Sequence, residues 1–260
     1  MCNLYTKFVK FLEICKGFSE DLVTEAGNVR HPGPVPRFSD LEVIALSMAA
    51  EAEEIDSENW LFEAKLKECR SYIPNLISRR QFNDRRKVVS GLCEQIRSRI
   101  ANHIDGGEDY FCIDSKPIEV CRVSRVIHSY DLPKASVHDI NYLNDIKPLY
   151  HDCSIFGDKG YIGVEIQLDL FETVNIRLEC PYRLNQKNWK PTFIPFAKAR
   201  KRVETLFSQL TDQFLVIRNY AKEICGLFAR IVGKVSAMTV LQYINFINNK
   251  PIGRIKYALI

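Results

Sequence analysis

Three carboxylates stand in settings where acids do chemistry. Asp114 closes the apolar run Phe111-Cys112-Ile113 and precedes Ser115-Lys116-Pro117, so it marks the point where a strand leaves a sheet. Asp158 lies in Gly157-Asp158-Lys159-Gly160-Tyr161, directly after the strand-like Ser154-Ile155-Phe156. Ligand sites of open α/β sheets gather at such strand ends. Glu204 rides beside Val203, Leu206, Phe207 and Leu210, an apolar stripe with helical spacing, which predicts a helix from about Ala199 to Leu210. If the three meet, they offer hard oxygen ligands to Mg²⁺, an ion that keeps several waters and so leaves positions open for phosphate and nucleophile. Two such ions, about 3.5 to 4 Å apart, activate the attacking oxygen and stabilise the leaving one in an in-line phosphoryl displacement. Taken singly, each aspartate also suits a turn, and Glu204 also suits an ordinary surface pair with Arg200 one helical turn before it. Only the set points to a metal site.

The charge around Glu204 points the same way. The formal net charge of the 260 residues is +4, yet Pro181 to Val203 alone carries seven Lys or Arg and no acid, leaving the remainder at −3. A surface of that sign suits a polyanion. Arg183, Lys187, Lys190, Lys198, Arg200, Lys201 and Arg202 are the candidate DNA contacts there, with Trp189 and Phe193 placed to stack on a base or to pack in a core.

The elements that must position these residues fall into two textures. Residues 1–104 read as helical: an amphipathic helix with Leu4, Phe8, Phe11, Leu12 and Cys15 on one face, then the stiff linker His31-Pro32-Gly33-Pro34-Val35-Pro36. Ser39-Asp40-Leu41-Glu42 and Ser78-Arg79-Arg80-Gln81 have the form of capping boxes, each opening a helix. The second of these helices carries Arg79, Arg80 and Arg85 and is the candidate DNA reader. A plain bundle with solvated arginines is the competing reading. Glu51 to Glu68, with seven acids and two lysines, should avoid DNA.

Residues 105–260 change to strands at Tyr110–Ile113, Ile118–Val123, Val126–Tyr130, Ser154–Phe156 and Ile176–Cys180, with a helix at Ile162–Phe171, which describes an α/β domain built on a mixed sheet flanked by helices. Nine scattered cysteines without a Cys-x-x-Cys pair read as thiols of a reducing cytoplasm. The apolar run Leu227–Ile247 is interrupted by Arg230, Lys234 and Gln242, so it is expected in a core rather than a membrane.

Phe111-Cys112-Ile113-Asp114-Ser115, Gly157-Asp158-Lys159-Gly160-Tyr161-Ile162 and Arg200-Lys201-Arg202-Val203-Glu204-Thr205-Leu206-Phe207-Ser208-Gln209-Leu210 resemble the three acidic motifs of DDE-class bacterial insertion-sequence transposases, those of the insertion sequence 982 group in particular. Arg200 matches an arginine that related families place four residues before the glutamate; the tyrosine and lysine that some place seven residues to either side are Ala197 and Thr211 here. The resemblance implies an RNase H-like domain, cleavage at element ends, and transfer of the freed 3′-hydroxyl to target DNA. It implies Asp114, Asp158 and Glu204 as ligands of Mg²⁺, with Mn²⁺ as a substitute, DNA as partner, no membrane, and leaves a homodimer open. His138 is a lone histidine and stays outside the set.

The chain also departs from that pattern. Val120-Cys121-Arg122-Val123-Ser124-Arg125 passes straight into Val126, and only 44 positions separate Asp114 from Asp158, so the comparison implies an internal segment lost near Arg125/Val126. On this reading a strand is missing beside the one ending in Asp114. Either Ile118–Val123 moves into its place or the outer strands pair directly. A nuclease without strand transfer and a DNA-binding remnant without cleavage are the two alternatives to a working transposase.

Overall fold

A computed structural model describes residues 3–105, 109–113, 120–122, 126–130, 139–182, 190, 194–218 and 221–259. The chain forms two compact units, one made of 1–100 together with 208–260, the other of 101–207.

The first unit is helical. It contains α1 (Asn3–Gly17), α2 (Asp40–Ala52), α3 (Glu58–Glu63), a 3₁₀ turn (Lys65–Tyr72), α4 (Arg79–Val88), most of α5 (Ser90–Asp105), α9 (Ile224–Ile247) and α10 (Lys256–Leu259). Both capping boxes form: Ser39 Oγ accepts from Glu42 N while Ser39 N donates to the Glu42 carboxylate, and Ser78 and Gln81 repeat the exchange. The helix expected to run on from Ser78 is instead two, because Val89 leaves helical geometry between α4 and α5.

α2 and α9 are apolar nearly all round and pack on each other, as helices of that composition do when they form a core. α9 is long and apolar enough to cross a membrane, but 72% of its most apolar window is buried within the protein. Its Lys234, 1% exposed, donates to Glu51 of α2 at 2.6 Å and to the Phe214 carbonyl at 2.5 Å. The packing of α9 on α2 goes with 208–260 belonging to the helical unit.

The second unit carries a five-stranded sheet ordered β3-β2-β1-β4-β5, where β1 is Tyr110–Ile113, β2 Val120–Arg122, β3 Ile127–Ser129, β4 Ser154–Phe156 and β5 Arg177–Glu179. β1, β4 and β5 are parallel, while β2 and β3 form an antiparallel pair beside β1. β2 lies between β1 and β3. The register of β2 against β3 shifts between Val120 and Cys121, the mark of a β-bulge.

Helix α6 (Asp139–Ile146) leads into β4, and α7 (Val164–Val174) is the crossover from β4 to β5. Tyr142, Leu143, Ile146 and Tyr150 bury against Phe111, Ile113 and Ile155 of the sheet and Leu170 of α7, forming one core. Phe111 meets the Tyr150 ring edge to face at 4.8 Å, and the Tyr150 hydroxyl bonds both His128 Nδ1 (2.8 Å) and Ser129 Oγ (2.5 Å). α8 (Ile194–Asp212) begins in this unit, five residues earlier than the expected start at Ala199.

Candidate active site

The parallel strands β1, β4 and β5 all point their C-terminal ends the same way, and the candidate site is built at that end. Cys112 pairs with Phe156, which pairs with Glu179, so the chain leaves all three strands at one level. Gly157 follows at once in a tight place: a Cβ there would lie 3.2 Å from Ile113 Cγ2 and 3.2 Å from Tyr161 Cβ, so these neighbours would have to give by a few tenths of an ångström. The strand end therefore turns tightly, with Gly157 N donating to the Glu179 carbonyl at 3.0 Å.

Asp158 caps the 3₁₀ turn Lys159–Tyr161. Its Oδ1 accepts from Gly160 N at 2.7 Å, and the side chain is half-buried. Among the described residues its second oxygen has no hydrogen-bond partner. The backbone bond thus fixes one carboxylate oxygen. Cys180, just past β5, has its thiol pushed up to about 12, by burial first and by the Asp158 carboxylate second. That dependence puts negative charge where β4 and β5 end.

Opposite the strand ends stands α8. Val203, Leu206, Phe207 and Leu210 are all buried, as the helical stripe predicts. Arg200 and Val203 line a small cleft together with Cys112, Ile113, Phe156, Gly157 and Asp158. Glu204 is exposed and pairs with Arg200, Nε to Oε1 at 3.4 Å. Arg200 thus lines the cleft beside the Asp158 turn while pairing with Glu204.

Asp114, the residue after Ile113, lies outside the described residues, as do Arg183, Lys187, Trp189, Phe193 and His138. No group of three metal-ligating side chains occurs among the described residues. The donors that are described fit a hard divalent ion by type, since Asp158 offers a carboxylate oxygen beside a backbone-anchored one.

The segment 104–240, more than half of the chain, matches the family model described as a transposase DDE domain. This chain belongs to that family. Membership places it among enzymes that transfer phosphoryl groups on DNA in transposition, a class that uses divalent metals. Comparison with curated proteins and with solved structures gives no match.

The other candidate contacts of this transposase-family chain divide by exposure. Lys190, Lys198 and Lys201 are exposed, and Arg202 is half-buried. Arg79 and Arg80 are exposed on the first turn of α4, Arg80 reaching Asp84 only at 4.0 Å. Arg85 is drawn inward, donating to the Phe38 carbonyl and pairing with Asp40, and its neighbour Arg86 is buried against Glu58. Of the three α4 candidates, Arg79 and Arg80 are therefore the exposed ones. Sequence reasoning passed over two residues of the site. Gly157 was quoted only as part of a motif, and Lys159 places an exposed cation next to Asp158. Their adjacency to a strand-end acid was the available signal for both.

Proposed function

We propose that this chain is an insertion-sequence transposase that cleaves DNA at element ends and joins the freed 3′-hydroxyl to target DNA, with Asp114, Asp158 and Glu204 as ligands of Mg²⁺ or Mn²⁺. The observation that carries the reading is the cleft in which the Asp158 turn meets Arg200 of the Glu204 helix, inside the segment that matches the family. The strand order β3-β2-β1-β4-β5, antiparallel then parallel, supports an RNase H-like sheet. Asp114 follows β1, the strand paired directly with the one that leads to Asp158.

Bound divalent metal would supply activation of the attacking oxygen and neutralisation of the leaving one. The protein's own part is positional. Gly160 N holds one oxygen of Asp158, so the carboxylate is oriented before any ligand arrives. Arg200 pairs with Glu204 and lines the same cleft as Asp158, and it can exchange its Glu204 contact for a phosphate oxygen, which frees Glu204 for metal. Lys198 and Lys201 lie three residues apart on α8 and serve the DNA backbone, as do Arg79 and Arg80 on α4. The purpose of the helical region would then be end recognition, in the cytoplasm.

The loss of a segment near Arg125/Val126 belongs to this proposal. An antiparallel pair of three-residue strands with a bulge, beside the strand that precedes Asp114 in the chain, favours slower chemistry than a sibling with the full segment. Metal-assisted displacement loses on the order of 10²-fold in rate for about 1 Å of misplacement. The test is a nicking and strand-transfer assay on the element's own ends with Mg²⁺ or Mn²⁺, using this chain, its Asp158→Ala variant and a full-length sibling. Weak cleavage abolished by Asp158→Ala, with joined products, is expected. Cleavage without joined products would make the chain a nuclease, and DNA binding without cleavage in any metal would make it a binding remnant.

A further inference from the structure

Two apolar helix faces stay uncovered, one in each unit. On α7, Val164, Leu168 and Phe171 recur with helical spacing along one side, Val164 being 79% exposed. The opposite side, with Ile166, Leu170 and Val174, faces the core, so α7 is apolar on two sides where its own unit uses one. Exposed Glu165 and Glu172 border the outer stripe, α7 contains no Lys or Arg, and the one cation beside the stripe among the described contacts is Arg177 of β5, its guanidinium 6.0 Å from the centre of the Phe171 ring. At the start of α9, Ile224, Leu227 and Phe228 form a second outward cluster, Ile224 being 85% exposed. Arg218 and Lys222 precede it, exposed and without an ion pair among the described residues, while Glu223 is already neutralised by Lys87 at 2.9 Å.

Contiguous exposed apolar residues rimmed by charge mark contact surfaces. Two α7 faces cannot serve each other, because Glu165 and Glu172 of one would oppose the same acids of the other, and like charges across an interface cost affinity. The α9 cluster likewise exposes three large apolar residues, and the cations Arg218 and Lys222 precede it in the chain. We propose that these faces dock between copies of this chain, α7 of one on the start of α9 of a second. Leu168 and Phe171 would pack among Ile224, Leu227 and Phe228, while Glu165 and Glu172 meet Arg218 and Lys222. The contact is heterologous: each copy offers two different patches rather than one self-complementary patch. It rests on surface chemistry alone and does not depend on catalysis.

The experiment is sedimentation velocity on the full chain over a concentration series, with Leu168→Glu, with Phe228→Glu, and with the two variants mixed. Wild type should associate, and each variant should associate about tenfold or more weakly, the loss expected when a buried anchor is replaced. The mixture should recover association, because one variant keeps an intact α7 face and the other an intact α9 face. A second pair guards against misfolding and alters only exposed positions: Glu165→Lys with Glu172→Lys weakens association, and Arg218→Glu with Lys222→Glu restores it when the two are mixed. A wild type that stays monomeric throughout, variants that associate as wild type does, or mixtures that fail to recover would each overturn the proposal.

Discussion

Two residues beside the candidate site report on it without any need for turnover. Gly157 has little room for a methyl group, with Ile113 and Tyr161 each 3.2 Å from the position a Cβ would take. Gly157→Ala should therefore destabilise the sheet unit by about 1–3 kcal/mol, the usual cost of overpacking, seen as a lower urea midpoint. A midpoint equal to wild type would show that the turn relaxes freely. Cys180 reads the charge of Asp158. Its thiol, pushed up to about 12 by burial and then by that carboxylate, stays protonated at pH 8 to 9 and should alkylate far more slowly than exposed Cys225. Asp158→Asn removes the negative charge, lowers the thiol pKa and should speed Cys180 modification relative to Cys225 in the same sample. Unchanged relative rates would show that Asp158 does not act on Cys180. The sequence made Asp158 and Glu204 visible because each sits in a local pattern, a strand end or a helical stripe. It did not show that Arg200 and the Asp158 turn line one cleft, since the two lie more than forty residues apart in the chain.

The elements themselves were legible wherever local chemistry decides them. Both serine capping boxes form, and the strand runs fall where their apolar composition predicts. The break at Val89 was hidden because Val88, Val89, Leu92 and Ile96 keep a helical apolar rhythm through it. Strand order was hidden as well, because pairing is set by non-local contacts that no window of sequence contains. The buried pair Glu51–Lys234 is another such contact, and it invites a test. Burial pushes the Glu51 carboxyl up, and Lys234 opposes that shift. Lys234→Met leaves Glu51 buried without its cation and should cost about 3–5 kcal/mol at neutral pH, whereas adding Glu51→Gln should return most of it. A carboxyl whose folded pKa is raised is favoured in its protonated form, so the deficit of Lys234→Met should shrink as pH falls toward the ordinary glutamate range. Thermal melts from neutral to acid pH check both; a deficit that does not shrink with falling pH would mean Glu51 is relieved some other way.

At the scale of the whole molecule, charge is separated from the fold's own needs. The helical unit spends many of its cations inside, on Glu51, Glu53, Glu58 and Asp40, while Lys198 and Lys201 of the sheet unit stay exposed without an ion pair among the described residues. That the helical unit includes 208–260 could not be read from the sequence, because α9 meets α2 across more than 180 residues of intervening chain. The basic run could be read, because it needs only counting. Its role is testable through salt. Each phosphate neutralised on duplex DNA adds about 0.9 to the slope of log affinity against log salt. Lys198→Ala with Lys201→Ala should flatten that slope by roughly 2 for any duplex, since backbone contacts carry no sequence information. Arg79→Ala with Arg80→Ala should flatten it similarly if α4 meets DNA at the same time, and should also reduce preference for element ends over unrelated duplex if α4 is the reader. Slopes measured by fluorescence anisotropy separate the two surfaces. A slope unchanged by the α8 pair would place the basic run off the DNA path, whatever the fate of α4.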